Sequence, residues 1–154
     1  MTNAISTTAE AVGRGLLAGL AGTAAMTVSS TIEMKLRGRE GSSAPADATA
    51  KVLGVDGFSD DASKARFGTL VHWGYGTGWG VVRATLSLAG LPPAKATAAH
   101  FAAIWGNEAA MLPVLDVAPP FWTWGAQEVA IDVWHHVVYA VATGVAFVLL
   151  AELI

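Results

Sequence analysis

The chain has 154 residues, is 53% hydrophobic and 14% charged, and carries a net charge of −3, with a mean hydropathy of +0.49. Soluble domains carry about a quarter charged residues, so the composition points to a one-domain membrane protein. It excludes a nucleic-acid footprint, and the absence of cysteine excludes a disulfide framework and a thiolate metal site.

Residues 1–10 are polar and are expected to fray. Residues 11–34 form the first expected membrane span, rich in small residues. Gly15 and Gly19 make a GxxxG pair, a spacing that lets helix backbones approach closely in lipid. A signal peptide would need a charged n-region, but Arg14 is the sole cation before Lys35, so the segment is read as a retained helix. Glu33 lies near its end, and Lys35, Arg37 and Arg39 follow as an interfacial anchor.

Residues 38–61 form a polar loop. Pro45 suits the first turn of a short helix running to about Leu53, and Gly54 and Gly57 break it. Ser59, Asp60 and Asp61 offer N-cap oxygens to the next helix. The second span, 62–90, places His72, Tyr75 and Trp79 on one face. Gly74 with Gly78, and Gly76 with Gly80, give further close-packing pairs. The third span, 94–112, holds His100, Asn107 and Glu108, and Pro113 ends or kinks it.

After a turn with Trp122 and Trp124, the fourth span covers 127–152. It contains Asp132, His135 and His136 within an apolar run. With Tyr139 and Thr143 these form a polar stripe, because residues three and four apart share a helix face. Ionisable groups at membrane depth are costly unless they face a partner or water.

The second and fourth spans share a pattern. His72-x-x-Tyr75-Gly76-x-x-x-Gly80 matches His136-x-x-Tyr139-Ala140-x-x-x-Gly144. Ala24-Ala25-Met26 likewise matches Ala109-Ala110-Met111. The expected fold is therefore all-α: an integral membrane four-helix bundle made of two tandem helical hairpins. The excess of Lys and Arg around the first loop places 38–61 in the cytoplasm and both termini outside.

At about 1.5 Å of rise per residue, Glu33, His72, Glu108, Asp132, His135 and His136 all fall in the same half of such a bundle, while His100 falls in the other. Tyr75, Asn107 and Tyr139 would stand behind them. Carboxylates and imidazoles on facing helices build di-iron and di-manganese centres. Asp132-x-x-His135 has the matching i, i+3 spacing, although once rather than twice. Zinc would accept the same ligands. A proton or ion relay uses the same residue types, and haem b between His72 and His135 or His136 is a further arrangement, disfavoured by the surplus of carboxylates. A buried Glu–His pair can also simply fix helix packing, and Trp73, Trp105 and Trp134 are read as packing.

The layout resembles the YagU-like small bacterial inner-membrane proteins. The resemblance rests on the small-residue first helix ending at Glu33, His72 entering the second, the Pro113…Pro119-Pro120 turn, and the acid-x-x-x-His of Asp132 and His136. It implies a multi-pass protein of the bacterial inner membrane built from helical hairpins, and no reaction. The leading expectation is a metal-binding membrane protein, redox-active in its fullest form, with iron, manganese or zinc as the metal. A proton-coupled or ion transporter is the second expectation. A non-catalytic membrane subunit or assembly factor is the third, and its Gly-rich faces would hold a larger membrane complex or a second copy of the chain.

Overall fold

The computed structural model describes residues 2–55 and 57–153. It is all-helical, with no strand among the described residues. The helices are α1 (Thr2–Arg37), α2 (Ala44–Leu53), α3 (Asp61–Leu88), α4 (Pro93–Val114) and α5 (Ala126–Leu153), with a short 3-10 turn at Phe121–Thr123.

Local chemistry sets the boundaries. Asp60 is extended and caps α3, its Oδ1 accepting from the Ser63 amide at 2.6 Å. Pro45 sits in the first turn of α2, where a missing N–H costs nothing, and Gly54 closes that helix at φ 67°. Gly90 at φ 82° and Pro93 at the start of α4 make the tight corner between α3 and α4. α1 begins at Thr2, so the polar first ten residues, expected to fray, instead extend the helix by about two turns.

α1 packs along both α3 and α5, α4 packs along α5 and α3, and α2 lies across α3 and α4. Glycine decides how close α1 and α3 come. A Cβ on Gly80 would collide with the Gly15 carbonyl oxygen, and one on Gly19 would sit 2.5 Å from the Thr77 oxygen. Gly76 receives Thr23 of α1, and Gly144 of α5 receives Thr97 of α4. Thus the final glycine of each repeated pattern meets a neighbouring helix, Gly80 against α1 and Gly144 against α4. Gly74 and Gly78 correct the sequence expectation: they have no neighbour within 4 Å and pack against nothing in this chain. They lie on the outward side of α3, away from the face that meets α1.

α1 and α5 are, among the described residues, the helices long and apolar enough to cross a membrane. α3 and α4 are long enough at about 1.5 Å per residue, but glycine and polar side chains dilute their hydropathy. In the apolar windows of α1 and α5, only 28% and 33% of residues are buried inside the molecule. Val28, Ile32 and Leu36 on α1, and Val141, Val145 and Leu149 on α5, form exposed stripes at four-residue spacing. The inner face of α5 carries His135, His136, Tyr139, Thr143 and Phe147 instead. On α5 the aliphatic stripe therefore points outward, and the inner face is mostly polar and aromatic.

At the end of the helices where α3 closes on α4, Arg83 is 1% exposed. Its Cζ lies 4.5 Å from the Phe147 ring centroid. A ring face returns about 2 kcal/mol to a desolvated cation, less than the several kcal/mol that burying an unpaired ion costs.

Candidate functional site

Three ionisable residues converge where α4 meets α5. The ligand atoms of Glu108, Asp132 and His136 lie within 4.8 Å of one another. Glu108 Oε2 stands 2.6 Å from His136 Nε2. His136 Nδ1 lies 2.9 Å from the Asp132 carbonyl oxygen, one turn back on α5. That carbonyl can only accept, so Nδ1 carries the hydrogen and Nε2 is left to face Glu108. At 2.6 Å, Nε2 and Oε2 share a single proton. Trp105 Nε1 donates to Asp132 Oδ2 at 2.8 Å and orients that carboxylate, while Asp132 Oδ1 stands 3.7 Å from His136 Nδ1. Trp105 itself is held by a stacked Phe101 and an edge-on Phe121.

The cluster borders open space. An inner apolar cavity of about 80 Å³ is lined by Thr23, Met26, His72, Glu108, His136 and Tyr139, among others. A wider cleft of about 640 Å³ reaches Glu108, Asp132 and His136 from the side of the 38–61 loop, past Arg39, Ser42 and Pro45. Met26 and Met111, equivalent in the repeat, both line the inner cavity. α2 borders it through Pro45 and Thr49. Lys51 holds α2 to α4 by donating to the Leu115 and Asp116 carbonyl oxygens at 2.6 and 3.1 Å. Lys64 holds it to α3 through Asp47 at 3.1 Å.

The other residues singled out in the sequence divide into separate groups. Glu33 is not part of the cluster: Arg37 Nη1 at 3.1 Å and Arg39 Nε at 2.9 Å bind it, with a second contact from Arg39 Nη2. Arg37 bridges onward to Glu128 at 2.6 Å, tying α1 to the start of α5. Arg37 and Arg39, two of the three cations read as an interfacial anchor, are thus the partners of Glu33. His135 belongs to this group, with Nδ1 3.0 Å from Ser29 Oγ and Nε2 3.8 Å from Glu33. Asp132 consequently groups with His136, one turn away, rather than with His135 at the i, i+3 spacing.

His72 lines both cavities, but its Nε2 is engaged by Thr27 Oγ1 at 2.8 Å. Asn107 Nδ2 donates to the Tyr75 hydroxyl at 2.7 Å, and Tyr139 donates to the Gly76 carbonyl at 2.6 Å. Neither tyrosine nor Asn107 hydrogen-bonds the cluster. His100 lies deeper, fully buried, with Nε2 3.0 Å from the Trp79 carbonyl oxygen. Trp105, expected only to pack, also reaches the cluster through its Nε1–H. Its signal was its place three residues before Glu108, on the same face of α4.

One imidazole and two carboxylates form a hard, oxygen-rich ligand set suited to iron, manganese or zinc. Coordination at about 2.0–2.2 Å separates neighbouring ligand atoms by about 3–3.5 Å, which small side-chain shifts reach from here. Comparison with known proteins finds no matching family model, no matching curated protein and no matching solved structure.

Proposed function

We propose that the chain is a multi-pass protein of the bacterial inner membrane, a four-helix bundle of two tandem hairpins, that binds one metal ion through Glu108, Asp132 and His136. The observation that carries the metal reading is the convergence of those three ligand atoms within 4.8 Å beside an open cleft. Three protein ligands with an accessible remaining position is the arrangement of a site that can also bind water or a substrate. Trp105 supplies the outer hydrogen bond that fixes a ligating carboxylate. The low burial of the two most apolar helices supports the membrane reading, since a core helix of a soluble protein would be mostly covered. The YagU-like layout implies the same location, and the Lys and Arg around the first loop put 38–61, and with it the mouth of the cleft, on the cytoplasmic side.

The test is elemental analysis with an optical spectrum of detergent-purified protein. We expect about one equivalent of iron, manganese or zinc per chain. His136→Ala and Asp132→Asn lose it, and His72→Ala keeps it. Wild-type protein that is metal-free, and whose melting temperature added metal does not raise, removes the reading.

A second reading uses the same contact as a proton relay. It is favoured by the 2.6 Å approach of His136 Nε2 to Glu108, which holds a single proton at the edge of a cavity with room for a few waters. It predicts proton flux in liposomes that Glu108→Gln abolishes. Flux equal to that of empty vesicles removes it.

A further inference from the structure

Arg83 is the largest fully enclosed side chain among the described residues. Its Nε and Nη1 find no hydrogen-bond partner, and neither does the Nε of half-buried Arg14. Both guanidinium groups turn toward the Phe147 ring, with Cζ 4.5 Å and 5.6 Å from its centroid. The ion pairs among the described residues include neither arginine. Glu10, one turn from Arg14 on α1, makes no ion pair with it and is exposed.

A ring face takes up part of a positive charge but accepts from none of these N–H groups in their own plane. Sealed donors without acceptors are rare in native proteins and point to a ligand, ion or water that belongs there. The planar fork of a guanidinium matches the oxygens of a phosphate. Arg83 precedes the end of α3 at Leu88 by about 7 Å of helix rise. Arg14 adjoins Gly15, which packs on Gly80 and Ala84 of the same helix. Both guanidinium groups therefore lie beside Phe147, at the end of the molecule opposite Glu108, Asp132 and His136.

We propose that Arg14 and Arg83 form an anion site for a phosphate group, seated beside Phe147 where α1, α3 and α5 meet. On the membrane reading above, the group is the headgroup phosphate of an anionic phospholipid at that face. Free inorganic phosphate offers the same oxygens to the same donors.

The full chain is purified in detergent, stripped of lipid, and divided into two arms. In one, phosphatidylglycerol is added and its retention is read by native mass spectrometry. In the other, inorganic phosphate is titrated and the melting temperature followed. Retention of about one phosphatidylglycerol per chain, reduced about tenfold or more in Arg14→Gln and in Arg83→Gln, assigns the site to lipid. A phosphate-dependent rise in melting temperature that both variants lose, without lipid retention, assigns it to free phosphate. Arg14 is half exposed, so Arg14→Gln remains informative if Arg83→Gln does not fold. Equal lipid retention and equal phosphate response in wild type and Arg14→Gln overturn the proposal. Metal content measured on the same samples separates this outcome from the metal reading, since neither arginine touches that cluster.

Discussion

The two ends of the helices handle buried charge differently. At the loop-side end, Glu108, Asp132 and His136 bring opposite charges within reach of one another and beside a cleft of about 640 Å³. At the far end, Arg83 is enclosed with two unpartnered donors, and its one close companion is an aromatic ring. The packing explains the contrast. Gly15, Gly19 and Gly80 bring α1 and α3 to backbone contact toward the far end. Toward the loop side, Met26, Met111 and Tyr139 stand in the interior and leave a cavity between the helices. Close glycine contacts thus mark one end and a cavity the other. A polar cluster beside a cleft is reachable from outside, whereas a charge in the closed end needs a partner built in or bound.

The largest effect is expected from breaking the closed end. Gly80→Val drives a side chain into the Gly15 carbonyl, where a backbone rather than a flexible side chain must move. Overpacking usually costs about 1–3 kcal/mol, and a backbone obstacle puts this variant at the top of that range. The expected result is loss of monodisperse protein on size exclusion in detergent. Gly74→Ala in the same helix meets nothing and should leave the elution profile and melting temperature unchanged or slightly improved. Equal behaviour of the two variants would contradict the glycine-closed packing.

The next effect tests the open end. His136→Ala should weaken metal binding by more than about 100-fold, read by competition with a chelating dye, while Glu33→Gln should leave it within error. Metal occupancy should also fall as pH falls, because each ligand must shed its proton to bind. A smaller loss is expected from Trp105→Phe, which keeps the ring packing but removes the hydrogen bond to Asp132. About 10–100-fold in affinity is typical for such an outer partner. An unchanged titration would mean that Asp132 is oriented by something else.

The smallest effect concerns the N-cap of α3, which belongs to neither buried-charge group. The Ser63 amide holds the Asp60 carboxyl below its ordinary value. A carboxyl with a lowered folded value stabilises fully above its unfolded value, about 4, and loses that contribution as pH falls through the folded value. Asp60→Ala should therefore lower the melting temperature slightly at neutral pH. The difference from wild type should vanish in acid, as followed by circular dichroism.

Glu108, Asp132 and His136 were all legible as candidates, because counting residues along each helix gives their heights. Glu33, His135 and His72 share those heights and were grouped with them for the same reason. Direction around the axis separates them. His135 and His136 differ by about 100° of helix rotation, so one faces Ser29 and Glu33 of α1 and the other faces Glu108 of α4. Gly74 and Gly78 have the same spacing as Gly76 and Gly80, and a two-residue offset turns them to opposite sides of α3. The role of Trp105 was hidden because its ring packs as expected while its N–H does something else.

The amino-acid order alone determined the helical class, the helix ends at Gly54 and Asp60, and the level of each ionisable group along its helix. These follow from backbone geometry and short-range capping, which need no distant partner. Only the tertiary arrangement decided which imidazole meets which carboxylate, which glycines carry close contacts, and that Arg83 is enclosed without an acceptor. Those outcomes depend on how helices far apart in the chain are rotated against one another, and that rotation is set by contacts that no local stretch contains.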